Sequence, residues 1–288
     1  MSSLHIDEMG LGKTIEAIAG MILYNGIQEH REREQRPCVV VTPNSAVLEQ
    51  WITALVKNGV SRSRVHKFSK NMKIHYDRND FILLEKSKLQ SELRDIFEGI
   101  KDKKFRKKTS SLFPQATMDD FRSLWVQYEA SHGRARNEYK FDDEAQNDCV
   151  RRLIGHMSRR YRHCFRTVVL DESHFLKNQL AYWGIAGLLL TAHSERAIPM
   201  SGTPYNNSVQ DLAAAMGYID VHIGPAKNDF WQRCLEVSSA EAVHIKLSDW
   251  KRDYLVRRTK EQTLKEIGLK SKIVKKQVVE QHPQEIFL

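Results

Sequence analysis

Asp7 to Thr14, DEMGLGKT, has the residue types that hold nucleotide phosphates. Gly10 and Gly12 free the backbone, so that N–H groups can converge on an anion. Lys13 is a cation long enough to reach the outer phosphates, and Thr14 offers magnesium a hydroxyl. Gly10, Leu11, Gly12, Lys13 and Thr14 are therefore candidate nucleotide-binding residues. A helix beginning at Lys13 would turn the positive end of its dipole toward the same anion. Asp7 stands where the general phosphate-loop pattern has its first glycine, and a plain glycine turn before a helix also satisfies so short a pattern.

A second chemical group lies far along the chain. Val168 to Asn178 reads VVLDESHFLKN, an apolar run ending in two adjacent carboxylates, Asp171 and Glu172. In parallel α/β sheets, ligands bind at the carboxyl ends of strands. One carboxylate there can hold magnesium and the next can act as general base on water. Asp171, Glu172 and Lys13 are the candidate catalytic residues, with Thr14 and Asp171 as magnesium ligands. An isolated Asp-Glu pair would equally suit an exposed helix N-terminus. The loop and the acidic pair together favour a nucleotide hydrolase.

These groups need a scaffold. Cys38 to Thr42, CVVVT, reads as a strand buried on both faces, and Asp80 to Leu84, Arg166 to Leu170 and Ala197 to Ser201 are further short apolar runs. Between them, KTIEAIAGMILY places Ile15, Ile18, Ala19 and Ile22 on one helical face, and AVLEQWITALVK does the same for Leu48, Trp51, Ile52 and Leu55. Buried strands alternating with amphipathic helices predict an α/β domain with a mostly parallel central sheet flanked by helices. Pro199 is out of place in a central strand, because it cannot donate a ladder hydrogen bond.

DEMGLGKT, VVVTPNSAVLEQW, VVLDESHFLKN and MSGTPYNNSVQDL, in that order, resemble the first four helicase motifs of the Swi/Snf ATPases, and YLVRRTKEQTL resembles that family's exit from its first lobe. Aspartate before the phosphate loop is that family's own variant. The resemblance implies a RecA-like three-layer lobe, an N-terminal lobe of a superfamily-two DNA translocase, with ATP and Mg2+ as cofactors. It implies that Thr42, Pro43 and Asn44 lie along a strand of double-stranded DNA, contacting phosphates rather than bases. It also implies that His174, Ser201, Gly202 and Thr203 couple the nucleotide site to movement on DNA, often on nucleosomes. Where the family has threonine, threonine and tyrosine, this chain has Leu84, Glu85 and Lys86, so a DNA contact is expected to be lost. Only MSSLHI precedes Asp7, where the family has an adenine-gripping segment and a full strand.

No stretch resembles the family's second RecA-like lobe, which supplies arginines to the ATP site. An arginine finger is worth roughly three to five orders of magnitude in turnover. The chain alone is thus expected to bind ATP better than it hydrolyses it, until a second lobe encoded elsewhere is supplied. Arg257 and Arg258 match the exit segment rather than a finger. Two other functions stay open: a single-lobe nucleotide- and DNA-binding protein without turnover, and a basic DNA-binding scaffold with a vestigial site.

The lobe is expected over residues 1–93 and 166–288, interrupted by a basic, partly helical insertion at 94–165. The insertion holds KDKKFRKK (Lys101 to Lys108), readable as a nuclear-import signal, a DNA-phosphate contact or a solvated loop. Its Phe121, Trp125 and Tyr128 have the spacing of helix packing residues. A formal net charge of +9 points to an acidic partner such as nucleic acid. Four scattered cysteines give no disulfide framework, and Cys149, His156, His163 and Cys164 match no common zinc spacing. No secretory leader or membrane-length apolar run is present, and the expected location is nuclear.

Overall fold

Cys38–Thr42 (β2) is buried along its whole length, as is Phe165–Leu170 (β5), and the two pair in parallel with Val40 opposite Val169. They form the middle of a five-stranded sheet. A computed structural model of the chain describes residues 2–32, 35–101, 112–113, 119, 121–123, 153, 164–176, 181–202, 217–219 and 252–267. The other strands of that sheet are Val65–Lys67 (β3), Phe81–Glu85 (β4) and Ser194–Pro199 (β6), in the order β3-β4-β2-β5-β6, all parallel. Beside β6 runs a shorter parallel pair, Leu4–His5 (β1) and Leu255–Val256 (β7). A bridge from His5 to Met200 joins the two sheets, flanked by hydrogen bonds from Ser3 N to Ala197 O and from Ser201 N to His5 O.

Alternate strand residues face two separate cores. Val39, Val41, Ile82, Leu84, Val168 and Leu170 pack against Lys86–Lys101 (α3) and Tyr182–Ala192 (α4). Cys38, Val40, Phe81, Leu83 and Val169 pack against Lys13–Glu32 (α1) and Ser45–Lys57 (α2). This is the expected three-layer α/β arrangement with a mostly parallel sheet. A further helix, Lys260–Ile267 (α5), follows β7.

Two local expectations need correction. The buried face of α1 is Ala17, Ile18, Met21 and Asn25, while Ile15 is 48% exposed and Ala19 also faces outward. The helix carries two overlapping apolar stripes, and Asn25 joins the buried one by bonding to the Cys38 thiol. Pro199 lies in the strand that ends the five-stranded sheet, not in its middle. Its neighbours Ala197 and Ser201 turn their backbone groups toward residues 3–5, while Met200 N donates to Leu170 O. The missing N–H of Pro199 therefore faces β1, where only a bridge is formed.

Some described residues of the stretch expected as a basic insertion, 94–165, lie in the core beside the sheet. α3 runs unbroken across the expected boundary at 93/94, with Leu89, Leu93 and Ile96 buried on one face. Leu112, Phe113, Phe121 and Leu153 are buried in the same core, and Phe113 meets Phe121 edge-on at 6.4 Å. Parts of the insertion thus belong to the packing of the sheet domain. Asp102 to Lys108, Trp125, Tyr128, Cys149, His156 and His163 lie outside the described residues. Arg166, the last cation of RRYRHCFR, is fully buried and pairs with Glu195 at 2.8 Å.

Asn44 caps α2, its side chain accepting a 3.0 Å bond from Val47 N. Asn44→Ala is expected to cost about 1 kcal/mol, seen as an earlier urea midpoint. Asn44→Asp keeps the cap and should leave the midpoint unchanged.

Candidate nucleotide site

The carboxyl ends of β1, β2, β5 and β6 all open on one edge of the sheet. The loop from Asp7 to Gly12 leaves β1 there and enters α1. Gly10 and Gly12 have φ of +87° and +89°, the left-handed region that side chains with a Cβ avoid. This turn folds the loop back on itself, with Leu11 N donating to Glu8 O at 3.3 Å. Lys13 Nζ donates to the carbonyls of Asp7 (2.7 Å) and Glu8 (3.2 Å), so the ammonium sits inside the loop rather than in solvent. Thr14 follows at the start of α1 and is half-buried.

Asp171 directly follows β5 and is buried. Its two oxygens accept from the indole N–H of Trp51 (2.7 Å) and from Glu172 N (3.0 Å). Burial pushes the Asp171 carboxyl above the ordinary carboxylate range and Glu172 adds to that, while the Trp51 bond, the Glu172 N–H and the charge of Lys13 oppose it. The charge of Lys13 thus reaches the Asp171 carboxyl.

Glu172 has φ of +50° and is the one non-glycine residue with positive φ among the described residues. That conformation costs a residue with a Cβ about 1–2 kcal/mol. It is held by Ser173 N donating to Met200 O at 2.7 Å and Phe175 N donating to Glu172 O at 3.1 Å. His174 Nδ1 lies 3.1 Å from both Glu172 Oε2 and Ser201 Oγ. Ser201 N in turn donates to His5 O, two residues before the loop starts. A Cβ on Gly202 would fall 2.7 Å from Met9 Cγ and 3.6 Å from Lys13 Nζ, so this glycine lies directly against the loop. Asp171, Glu172, His174, Ser201, Gly202 and Lys13 therefore gather at one sheet edge. Thr203 lies outside the described residues.

The neighbouring edge carries the other expected contacts. Thr42 is fully buried and its hydroxyl donates to Asn44 O at 3.2 Å; Pro43 is half-buried and Asn44 exposed. Leu84 is buried, Glu85 half-buried, and Lys86 Nζ lies over the rings of Trp183 (4.4 Å) and Phe175 (5.0 Å).

Sequence reasoning took Trp51 for packing alone and so missed its bond to Asp171. The available signal was chemical: a buried indole N–H needs an acceptor. Trp51→Phe removes the strongest donor to the carboxylate. The expected result is a further rise of the Asp171 pKa, so that magnesium-dependent nucleotide binding fails at higher pH than in the wild type. A pH series of binding isotherms checks this. For folding the sign is opposite. A raised carboxyl contributes stability below its unfolded range and loses that contribution as pH rises through the raised value.

The model of the SNF2-related domain family matches residues 1–287. A solved structure titled as the Sulfolobus solfataricus SWI2/SNF2 ATPase core in complex with double-stranded DNA is similar, with a TM-score of 0.51 and 18% identity. The match covers 91% of this chain and 41% of that one, so this chain spans less than half of the core it resembles. The Pyrococcus furiosus Hef helicase domain matches at a TM-score of 0.44 and 9% identity, over 91% of this chain and 35% of that one. No curated protein matches the sequence.

Proposed function

The chain belongs to the SNF2-related domain family, and from that membership we propose that it is the ATP-binding lobe of a DNA-dependent ATPase that moves along duplex DNA. The observation that carries this reading is the gathering of Lys13, Asp171, Glu172 and Gly202 at one sheet edge, with Asp171 inside the field of Lys13.

The donors suit magnesium, a hard cation that takes oxygen ligands. Asp171 and Thr14 would hold it, and when bound it would neutralise phosphate charge and fix the phosphate geometry. The N–H groups around Gly10, Leu11 and Gly12 cradle phosphate oxygens, and Lys13 exchanges its bonds to Asp7 O and Glu8 O for bonds to them. Glu172 accepts the proton of a water whose oxygen attacks the terminal phosphorus while the bond to the bridging oxygen breaks. His174 holds Glu172 against Ser201, which makes the water-activating group sensitive to movement of β6. A second lobe would supply further cations to the terminal phosphate.

For the nucleic acid, the support is the net charge of +9 and the position of Pro43 and Asn44 at the carboxyl end of β2. Because Thr42 is buried, a DNA phosphate at this corner meets Pro43 and Asn44 first. A nuclear location and a nucleosomal substrate complete the reading, and rest on the basic run Lys101 to Lys108 and on the family.

The direct test is titration of the chain with a fluorescent ATP analogue, with and without magnesium. Saturable, magnesium-dependent binding is expected, and its absence ends the reading. Joined to a second lobe, the protein should hydrolyse ATP faster when duplex DNA is added. Binding without that acceleration would instead indicate a nucleotide-binding module.

A further inference from the structure

Asp7 is fully buried at the root of the phosphate loop. An unpaired carboxylate there would repel the polyanion that the loop is proposed to hold. Arg258 meets it from the far end of the chain. Arg258 N donates to Asp7 Oδ1 at 2.6 Å and Nε donates to Oδ2 at 3.0 Å. Its Nη2 bonds both Asp7 and Glu16, an acid in the first turn of α1. One planar fork thus serves two carboxylates on either side of Lys13.

The backbone reinforces the same contact. Ile6 N donates to Val256 O at 2.9 Å, Glu8 N to Arg258 O at 3.2 Å, and Lys260 N to Glu8 Oε2 at 3.1 Å. Residues 255–260 therefore run as a strap along residues 4–8 before the chain turns into α5.

We infer that Arg258 is a positioning residue for the phosphate loop, reducing the negative field of Asp7 and Glu16 toward a nucleoside triphosphate and tying the loop to the strap that leads into α5. It touches no phosphate itself. This rests on the ATP-binding reading above. Nucleotide binding and order in residues 255–267 are then reciprocally linked.

The test uses the full chain, with affinity for a fluorescent ATP analogue plus magnesium and amide exchange over residues 255–267 as readouts. Wild type should bind, and binding should slow exchange in the strap. Arg258→Gln should weaken binding by at least about tenfold, because it strips the partner from a buried carboxylate. Adding Asp7→Asn should restore most of that loss, since the repelling charge is then gone. A merely structural staple predicts no such rescue.

Arg258→Gln with wild-type affinity overturns the inference alone, as does a loss that Asp7→Asn does not relieve. Strap exchange indifferent to nucleotide also overturns it. No binding by wild type overturns the ATP reading and this inference with it. Should Arg258→Gln fail to fold, Arg258→Lys decides. An ammonium can take the place of Nη2 but has no counterpart of the Nε bond to Asp7, so a loss of about threefold or more is expected, and equality with wild type overturns the inference.

Discussion

Lys13→Ala is expected to weaken binding of magnesium–ATP by about a hundredfold or more. The Lys13 ammonium is held within the loop by two carbonyls of its own chain, Asp7 O and Glu8 O, and lies beside Gly202. Charge-assisted bonds to phosphate oxygens are about twice as strong as neutral ones. Losing the ammonium should cost about 3 kcal/mol or more, roughly a hundredfold in affinity. Folding should be little affected, because the side chain is half-buried and its partners are carbonyls that water can reach once it is gone. The measurement is a binding isotherm beside a urea unfolding curve for both proteins. Near-wild-type affinity in Lys13→Ala would mean that the loop is a plain helix-capping turn.

Glu172→Gln has the opposite profile. In a protein completed by a second lobe, ATP binding should persist while DNA-stimulated hydrolysis falls by about a hundredfold or more, the usual worth of a positioned general base. Glutamine keeps the shape and the contact with His174 but cannot accept the proton of the attacking water. The backbone supports a specific role here. Glu172 occupies a left-handed conformation that glycine would hold more cheaply, and its turn is fixed by bonds to Met200 and Phe175. Equal loss of binding and turnover would indicate that Glu172 serves the fold or the metal instead. A single-turnover assay at saturating ATP separates the two outcomes.

Both predictions concern residues whose positions in the fold were legible from the sequence, and the reason is physical. Lys13 and Asp171 sit beside strongly patterned elements: a helix of clear periodicity, and strands such as CVVVT and RTVVL whose burial on both faces leaves an unbroken apolar run. Less could be read where the signal is short or long-range. β1 and β7 have two residues each, too few for any period. The orientation of α1 was misread because Ile15, Leu23 and Ile27 form a second apolar stripe, which remains exposed at 48%, 67% and 48%. Periodicity ranks faces by hydrophobicity and cannot know that Asn25 would find a partner in Cys38. Trp51 and Arg258 gained their roles from partners far away in sequence, Asp171 and Asp7, and no local pattern encodes such a pairing. Pro199 was a sound warning about strand position, resolved by the alternation of backbone groups along β6.

The placement of β1 bears on how the lobe matures as it leaves the ribosome. β1 precedes the other described strands in the chain, yet the neighbours it pairs with are residues 197–201 and 255–258. The central pairing of β2 with β5 must likewise wait for residues 165–170. Closing such long loops is slow compared with forming local helices. A nascent chain can therefore assemble β2, β3 and β4 early, while the strand bearing the phosphate loop waits for the last described elements to emerge. The edge proposed to hold a nucleotide is therefore completed only after residues 255–258 have emerged, so a chain interrupted before them has part of the scaffold without that edge.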